Sequence, residues 1–429
     1  MKVFKYPKEE EWAEIVRRPH LDTSQLQATV STILSDVRQR GDEAVKEYEE
    51  RFDHVSLSAL AVTEREMAEA EAQVSPELKA AIKQAYSNIF CFHEAQYFNP
   101  LKVETTPGVI CSQRTIPIEK VGLYIPGGTA PLFSTVLMLA TPAQIAGCRE
   151  RVLCTPPDRL GKVNPAILYA AQTAGVSHIY KAGGVQAIAA MAYGTETIPK
   201  VYKIFGPGNQ YVMAAKQQVS LGDVAIDMPA GPSEVCVVAD ETTNAAFVAA
   251  DLLSQAEHGA DSQVLLITTD ERLLEKVEHE LKQQLEPLPR KAIAAQALEN
   301  SRLVLVSSKD EAMNLANLYA PEHLILQTDD WLVLAGKVVN AGSVFLGHYA
   351  CESAGDYASG TNHTLPTHGY ATAYSGVNLD SFCRKVTFQS LTEEGIRNIG
   401  PAVECMAEAE QLFAHKNAMT LRIKEVNGK

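Results

Sequence analysis

The stretch KVGLYIPGG, residues 120–128, is a short apolar run that closes with a proline and two glycines. Short runs of β-branched and apolar residues that end in turn residues are typical of buried strands. Three similar runs follow, separated by helical stretches such as NPAILYAAQTAGV: RVLCTPP (151–157), HIYKAGG (178–184) and VYKIFGPGN (201–209). A strand, a glycine-rich turn and a helix that recur every ~25 to 30 residues predict βαβ units on a parallel sheet.

A second series of apolar runs begins after the turn-rich stretch DMPAGPSE, which indicates a domain boundary near Ala230. Its members are EVCVVAD (234–240), QVLLITTD (263–270), RLVLVSS (302–308), HLILQT (323–328) and GSVFLG (342–347). The two series predict an α/β fold class, with two domains whose sheets are parallel-rich. We expect an N-terminal helical region at 1–120, α/β domains at 121–230 and 231–380, and a helical C-terminal tail at 381–429.

The composition argues against several classes of function. The chain has 429 residues and a formal net charge of −14, and an acidic surface repels the nucleic-acid backbone, so we expect no nucleic-acid partner. No apolar run reaches the roughly 18 to 20 residues of a membrane span, and MKVFKYPKEEEWAEIV is unlike a signal peptide. The eight cysteines form no CxxC pair, which favours free thiols in a reducing cytoplasm.

Three glycine-rich turns are candidate phosphate sites: YIPGG (124–128), AGGVQA (182–187) and FGPGNQY (205–211). Backbone N–H groups at such turns, next to a helix N-terminus, bind phosphate in many α/β sheets. The chain contains neither GxGxxG nor a P-loop pattern, however, and glycines at strand ends often serve the turn alone. From the residues alone, both interpretations of these turns stay open.

Two stretches of the second α/β domain place a histidine beside a polar partner. In SQAEHG, Gln255 and His258 lie three residues apart and share one face of a predicted helix. In YAPEHL, Glu322 and His323 follow a proline and point in different directions from a predicted loop. Histidine titrates near neutral pH and suits general base catalysis, whereas glutamate needs a dry pocket to raise its pKa. An exposed helix face and a chance loop dipeptide are the alternatives.

Two further stretches carry the same residue types. ESAGDYASGTNHTLPT contains Asp356 and His363, and its glycines, asparagine and proline predict a loop that could clamp a metal or a substrate. The tail stretch AEAEQLFAHKNAMTLR contains Glu410 and His415, which would lie roughly 140° apart around a helix. An Asx-type turn and a solvated helix face are the respective alternatives.

Gln255, His258, Asp356 and His415 together supply an amide oxygen, a carboxylate and two imidazoles. This donor set suits zinc, and its lack of a thiolate argues against a cysteine-rich structural site. Because it has a single carboxylate, such a site would keep a net positive charge and could bind a neutral nitrogen or oxygen of a substrate.

Longer motifs link the chain to a known family. They are VGLYIPGG, APLFSTVLMLATPAQIAGC, IFGPGN, DMPAGPSEV, DLLSQAEHG, PEHL, GDYASGTNH and AHKNAMTLR. Over nearly its whole length the chain resembles the histidinol dehydrogenase family. The resemblance implies two incomplete Rossmann-like domains and a helical tail exchanged within a homodimer. It also implies zinc-dependent and NAD-dependent four-electron oxidation of L-histidinol to L-histidine through L-histidinaldehyde, in histidine biosynthesis.

The resemblance also assigns roles to individual residues. One zinc ion per subunit would be bound by four residues that also contact the substrate: Gln255, His258, Asp356 and His415. Further substrate contacts would come from Ser233, His323, His363 and Glu410. NAD would contact one residue in each glycine-rich turn: Tyr124, Gln186 and Asn209. His323 would be the general base and Glu322 would activate water, while Glu410 and His415 would serve the neighbouring subunit's site.

Three alternatives to this function stay open. The first is a related zinc and NAD enzyme that oxidises another primary alcohol. The second is a zinc hydrolase, although the chain lacks HExxH. The third is a non-catalytic zinc-binding module, which has no need of three glycine-rich strand ends. The chain departs from the family pattern at Ala260 and Thr364, neither of which belongs to the expected chemistry.

Aldehyde oxidation needs a tetrahedral adduct, formed either by a cysteine or by water. Cys111, Cys154 and Cys351 are conceivable nucleophiles, but none has a basic partner nearby in the sequence. We therefore favour a hydrate, formed by water that Glu322 and His323 activate.

Overall fold

The computed structural model describes residues 1–19, 24–127 and 130–428, the side chains of residues 24 and 25 excepted. These residues form two compact units, Met1–Ala95 with Glu119–Ser381, and Gln96–Ile118 with Phe382–Lys429. The first unit contains two parallel β-sheets with their helices. The second contains one antiparallel sheet and a pair of helices.

The helices of the described residues are numbered in chain order. They are α1 Glu9–Ile15, α2 Ser24–Arg40, α3 Asp42–Tyr48, α4 Glu64–Gln73, α5 Pro76–Glu94, α6 Phe133–Ala146, α7 Pro165–Thr173, α8 Gly184–Tyr193, α9 Gln210–Ser220, α10 Ala245–Ala256, α11 Glu271–Leu285, α12 Lys291–Glu299, α13 Lys309–Tyr319, α14 Trp331–Ala335, α15 Glu352–Tyr357, α16 Glu393–Ala409 and α17 Phe413–Asn427. A π-helical turn spans Glu49–Asp53. Within the described ranges, no helix is both long enough and apolar enough to cross a membrane.

The strands are numbered in the same way. They are β1 Lys2–Lys5, β2 Leu101–Thr106, β3 Val109–Pro117, β4 Lys120–Tyr124, β5 Glu150–Thr155, β6 His178–Lys181, β7 Lys203–Phe205, β8 Ala225–Ile226, β9 Glu234–Ala239, β10 Gln263–Thr268, β11 Arg302–Leu305, β12 His323–Gln327, β13 Ser343–Leu346 and β14 Cys383–Leu391.

The apolar runs of residues 120–209 form the parallel sheet predicted for them. Its order is β6-β5-β4-β7-β8, and all its strand pairs are parallel. Helices α6, α7, α8 and α9 each connect one strand to the next along the chain, as parallel pairing requires. The prediction of repeated βαβ units is therefore confirmed, and the glycine-rich turns follow the carboxyl ends of β4, β6 and β7.

The second series of runs forms a six-stranded parallel sheet with the order β1-β11-β10-β9-β12-β13. Apolar residues cover both faces: Val235 and Val237 of β9 belong to one core cluster, whereas Cys236 and Val238 belong to another. A strand buried on both faces needs apolar residues at successive positions, which explains the sequence EVCVVA. The edge strand β1 comes from the N-terminus and pairs with β11, a contribution that the helical prediction for 1–120 missed.

Strands β2, β3 and β14 also depart from the helical predictions for 1–120 and 381–429. They form the antiparallel sheet of the second unit, in the order β14-β3-β2. Strand β14 pairs with β3 along its whole length, from Cys383 opposite Pro117 to Leu391 opposite Val109. These strands are largely exposed and mix polar with apolar residues, so they lack the continuous apolar run that identified the buried strands.

Candidate active site

His323 is the first residue of β12, a strand inside the six-stranded sheet, and its side chain is buried. Its Nδ1–H donates to the backbone carbonyl of Glu234, at 3.3 Å. The opposite ring nitrogen, Nε2, has no hydrogen-bond partner among the described residues and lies 3.6 Å from a carboxylate oxygen of Asp356. Burial lowers the pKa of His323, but the carboxylates of Glu352, Glu322 and Asp356 outweigh it and raise the pKa to about 10.

Glu322 lies immediately before β12 and is also buried. Its Oε2 accepts hydrogen bonds from the backbone N–H of Glu234 at 2.9 Å and from Nε2 of Gln255 at 3.2 Å. Burial raises the pKa of Glu322 to about 8. The strand predicted for HLILQT (323–328) is confirmed and begins at His323, which pairs there with β9 and β13. The loop predicted for YAPEHL is therefore wrong for His323.

Gln255 and His258 do not share a helix face as predicted, because α10 ends at Ala256. His258 follows in a turn, where its backbone N–H donates to the carbonyl of Gln255 at 3.2 Å. The Gln255 side chain is fully buried, and its Oε1 has no partner among the described residues because Nε2 is the atom held by Glu322. The His258 ring is exposed. As possible metal ligands, Gln255 therefore offers a buried oxygen and His258 offers a ring nitrogen on an exposed residue.

Asp356 lies on the short helix α15, and not in the loop predicted for it. The loop after the helix folds back toward it, and Nδ1–H of His363 donates to the backbone carbonyl of Asp356 at 2.9 Å. Burial raises the pKa of Asp356, but the interaction with the His323 imidazole 3.6 Å away, with the nearby His363 and His258, brings it below its usual range. Asp356 is therefore a carboxylate that remains charged among imidazoles.

These residues fit a divalent metal ion. One ligand atom each from His258, Glu352 and Asp356 lie within 4.8 Å of one another. The unpartnered Oε1 of Gln255 and both unpartnered oxygens of Glu352 are further buried donors. Nitrogen and oxygen donors of this kind suit zinc. The sequence interpretation missed Glu352, which lies one helical turn before Asp356 and would have been noticed had α15 been predicted as a helix.

Glu410 and His415 belong to the second unit and do not lie on one continuous helix. Helix α16 ends at Ala409, Gln411 turns the chain with a φ of +59°, and α17 begins at Phe413. Both side chains are exposed. The single helix predicted for the tail is therefore wrong at this point, because the left-handed residue breaks it between the two side chains.

The residues expected to contact NAD lie at the three strand ends of the five-stranded sheet. Tyr124 ends β4, and its hydroxyl accepts a hydrogen bond from the N–H of Gly184 at 3.0 Å. Gln186 is in the first turn of α8, and Asn209 caps α9 by accepting from the N–H groups of Tyr211 and Val212. Gly128, the last residue of the first glycine-rich turn, lies outside the described residues.

A buried carboxyl group that the sequence did not reveal holds the second glycine-rich turn. Oε1 of Glu49, on the π-helical turn, accepts hydrogen bonds from the N–H of Gly183 and from Nε2 of Gln186, each at 2.8 Å. Glu49 is fully buried, and burial raises its pKa to about 7. In the sequence it is one of several acidic residues in KEYEERFD, so nothing distinguishes it from an exposed helical residue.

A cavity of about 530 Å³ opens beside the first of these strand ends. Pro126, Gly127, Thr155, Pro156 and Asp53 are among the residues that line it. The size is in the range of small-molecule sites, and such sites commonly lie at the carboxyl ends of parallel strands. Helix α6 follows the same turn, and its Thr135 Oγ1 lies 3.1 Å from Nε2 of His363. Helix α6, which follows the first strand end, therefore contacts the loop that carries His363.

The remaining predicted residues are Ser233 and the cysteines considered as nucleophiles. Ser233 lies just before β9, and its carbonyl accepts from the N–H of Gln263 at 3.1 Å. Cys154 is buried in β5, where desolvation raises the pKa of its thiol. Cys351 precedes α15 and lies next to Glu352 in sequence, whereas Cys111 is in the second unit. None of the eight cysteines, all of which lie within the described ranges, forms a disulfide.

Glycine-rich strand ends, a buried imidazole with one nitrogen that faces the site and a cluster of metal donors are features of an enzyme site. They place this α/β chain in the class of α/β enzymes. A sequence model of the histidinol dehydrogenase family matches residues 16–423. The chain therefore belongs to the histidinol dehydrogenase family, and it is an oxidoreductase. The resemblance inferred from the motifs is confirmed.

Individual relatives agree with the family match. The histidinol dehydrogenase of Bacteroides thetaiotaomicron is 66% identical over 423 residues, which are 99% of each chain. That of Bacteroides fragilis is 64% identical over 426 residues, 99% of this chain and 100% of the relative. The crystal structure of histidinol dehydrogenase from Elizabethkingia anophelis matches with a TM-score of 0.97 and 56% identity, covering 100% of this chain and 99% of that one.

The burial of Glu49 predicts a pH-dependent stability. Because its pKa is raised from 4.5 to about 7 on folding, its stabilising protonated form is lost as the pH rises through 7. Between pH 5 and 8, the free energy of unfolding of the wild type should fall by about 3 kcal/mol relative to that of Glu49→Gln. Urea denaturation at several pH values measures this difference. Glu50→Gln, at an exposed neighbour, should follow the wild type, and equal behaviour of all three proteins would contradict the assignment.

Proposed function

We propose that the chain catalyses the NAD-dependent and zinc-dependent four-electron oxidation of L-histidinol to L-histidine, through L-histidinaldehyde, in histidine biosynthesis. The observation that carries the proposal is the convergence of His258, Asp356 and His323, with the amide of Gln255 held by Glu322, the neighbour of His323 in sequence. These side chains come from three separate segments of the chain. The relatives that share 64% to 66% identity with it are histidinol dehydrogenases.

Gln255, His258 and Asp356 would hold zinc together with His415 of the neighbouring subunit in the proposed homodimer. The free Oε1 of Gln255 and the spacing of the His258 and Asp356 donors support this assignment. Zinc would supply a positive charge that binds the imidazole and amino nitrogens of histidinol, and NAD would accept the electrons, because the filled d shell of zinc cannot.

His323 would be the general base that takes the proton of the substrate hydroxyl. Its Nδ1–H is fixed by the carbonyl of Glu234, so Nε2 is the nitrogen that faces the site. Despite burial, the carboxylates of Glu352, Glu322 and Asp356 raise the pKa of the ring; with zinc bound among them, their charge would be offset and the lone pair of Nε2 would be free for proton transfer. The strand β12 and the surrounding core exclude water from the ring, so the proton has few competing acceptors. A base held in one tautomer and one orientation needs no reorganisation when the proton moves.

Glu322, together with His323, would activate the water that adds to the aldehyde. Burial raises the pKa of this carboxyl group to about 8, which makes it a stronger base than an exposed glutamate. The competing thiol route is weaker at Cys154, because burial raises the pKa of that thiol and disfavours the thiolate. The hydrate is therefore our proposal for the second oxidation.

Tyr124, Gln186 and Asn209 would contact NAD at the strand ends of the five-stranded sheet. The hydrogen bonds that fix Tyr124 to Gly184 and Gln186 to Glu49 support a preformed site there. The contact between Thr135 and His363 supports hydride transfer between the cofactor side and the substrate side of the site. Ser233, His323 and His363 would line the substrate position.

Glu410 and His415 would act in the site of a neighbouring subunit, within a homodimer that exchanges the tail. Their exposure on the second unit supports this proposal. So do the exposed apolar side chains of the same unit, Met406, Leu412, Phe413 and Leu421, since a partner surface would bury them. The free cysteines are consistent with the cytoplasmic location that we propose.

The function itself is tested by NADH absorbance with histidinol as the substrate. We expect two NADH per histidinol and loss of turnover after zinc is chelated, with recovery when zinc is restored. Other primary alcohols should be much poorer substrates. Turnover without NAD, no reduction of NAD with histidinol, or a strong preference for another alcohol would contradict the proposal.

The division of labour between the two oxidations predicts a selective defect. Glu322→Gln keeps an oxygen that can accept from the N–H of Glu234 but removes the base. It should slow oxidation of histidinaldehyde at least ~10-fold more than oxidation of histidinol. Separate NADH assays on the two substrates measure this ratio. Cys154→Ala and Cys351→Ala are the controls and should retain both steps; loss of only the aldehyde step in either one would indicate a thiohemiacetal.

The exchanged tail predicts complementation between inactive variants. Gln255→Ala and His415→Ala homodimers should both be inactive, because each lacks a metal ligand in every site. Dimers reassembled from an equal mixture should recover about a quarter of the wild-type activity, since half of them are mixed and each mixed dimer has one intact site. Activity per subunit after co-refolding measures this, and no recovery would contradict exchange of the tail.

A further inference from the structure

Glu352 is a buried acid whose side chain has no partner. Its side chain is 1% exposed, and neither carboxylate oxygen has a hydrogen-bond partner among the described residues. A carboxylate in the interior is normally paired, because an unpaired charge there is costly. Other buried acids of the chain follow this rule: Asp251 accepts from Nε2 of Gln327, and Glu49 accepts two hydrogen bonds.

The position of Glu352 points its carboxylate at the metal cluster. It is the first residue of α15, and Asp356 is four residues later, so the two side chains lie on one face of the helix. One oxygen of each and one nitrogen of His258 lie within 4.8 Å of one another. Donors bound to one ion at about 2.0 to 2.2 Å lie at most ~4.4 Å apart, so three atoms within 4.8 Å need only a small side-chain adjustment to share an ion.

We propose that Glu352 is a direct ligand of the divalent ion. This inference rests on the metal site of the proposed function and adds a second carboxylate to the ligands of that site. The first unit would then supply four donors by itself: Gln255, His258, Glu352 and Asp356. Two carboxylates would balance the two positive charges of the ion, which favours its retention in a buried site. His415 would complete the site for catalysis, but the ion would remain bound without it.

Metal binding in the absence of substrate and NAD tests this proposal. The full-length protein is stripped with a chelator, and its affinity for Zn²⁺ is measured by competition with a chromophoric chelator. Glu352→Gln, which is nearly isosteric, should weaken binding more than about 100-fold, since loss of an outer-sphere partner costs only about 10- to 100-fold. The matched control is Asp251→Asn, a buried acid that bonds Gln327 outside the cluster, and it should change the affinity less than about 3-fold.

A second measurement reports on the ligands directly. The visible absorption spectrum of the Co²⁺-loaded protein should change in Glu352→Gln and keep its wild-type form in Asp251→Asn. His415→Ala should retain zinc more tightly than Glu352→Gln does. Glu352→Asp, which keeps the carboxylate, should recover part of the affinity, and the metal-free Glu352→Gln protein should be at least as stable to heat as the metal-free wild type.

The outcomes separate this inference from the proposed function. An unchanged cobalt spectrum with a zinc affinity within 100-fold of the wild type would overturn the ligand role of Glu352. If the wild type in that case oxidises histidinol in a zinc-dependent way, the proposed function stands. A wild-type protein that binds neither Zn²⁺ nor Co²⁺ would overturn both. A loss of zinc affinity in Glu352→Gln that appears only when histidinol is added would indicate that the carboxylate binds the substrate amine. That result would also overturn the metal role.

Discussion

The need to compensate buried charge is the constraint on which the site depends. Glu322, Glu352 and Asp356 bring three carboxyl groups close to the imidazole of His323 inside the first unit. The protein compensates Glu322 with the N–H of Glu234 and the amide of Gln255. Within the part of the chain that the structure describes, the Oε1 of Gln255 and both oxygens of Glu352 have no partner. Such groups are stable in an interior only when something of opposite charge or a hydrogen-bond donor meets them. A divalent ion satisfies this requirement with the donors present.

In the proposed function, the two sheets of the first unit would divide the work of an oxidoreductase. In the five-stranded sheet the glycine-rich turns follow the carboxyl ends of the strands, the usual position for a nucleotide. In the six-stranded sheet, Glu322, His323 and Ser233 instead lie at the amino ends of β12 and β9. Thr135 of α6, on the side of the five-stranded sheet, contacts His363 of the loop after α15. The position of His323 at the start of β12 thus fixes which of its ring nitrogens faces the site, and the strand ends of the five-stranded sheet fix where the glycine-rich turns lie.

Buried parallel strands were predictable from the sequence because each is a continuous apolar run, closed in the first series by glycine or proline. The exposed strands β2, β3 and β14 and the edge strand β1 were not, since their pairing partners are distant in sequence and their residues are mixed. Among the site residues, the types at 255, 258, 322, 323 and 356 indicated chemistry, but their local structure was predicted wrongly where α10 ends and where α15 begins. Glu49 and Glu352 were missed because burial, which gives them their importance, is a property of the fold and not of any local pattern.

The central claim is that an amide oxygen, carboxylate oxygens and imidazole nitrogens from separate segments bind one divalent ion. Anomalous diffraction at the zinc absorption edge, on crystals of the zinc-loaded protein, tests it most directly. The account predicts one strong peak per subunit, about 2.0 to 2.3 Å from Oε1 of Gln255, a ring nitrogen of His258 and a carboxylate oxygen of Asp356. A peak bound by cysteine sulfur, a peak elsewhere, or no peak in protein that oxidises histidinol would contradict it.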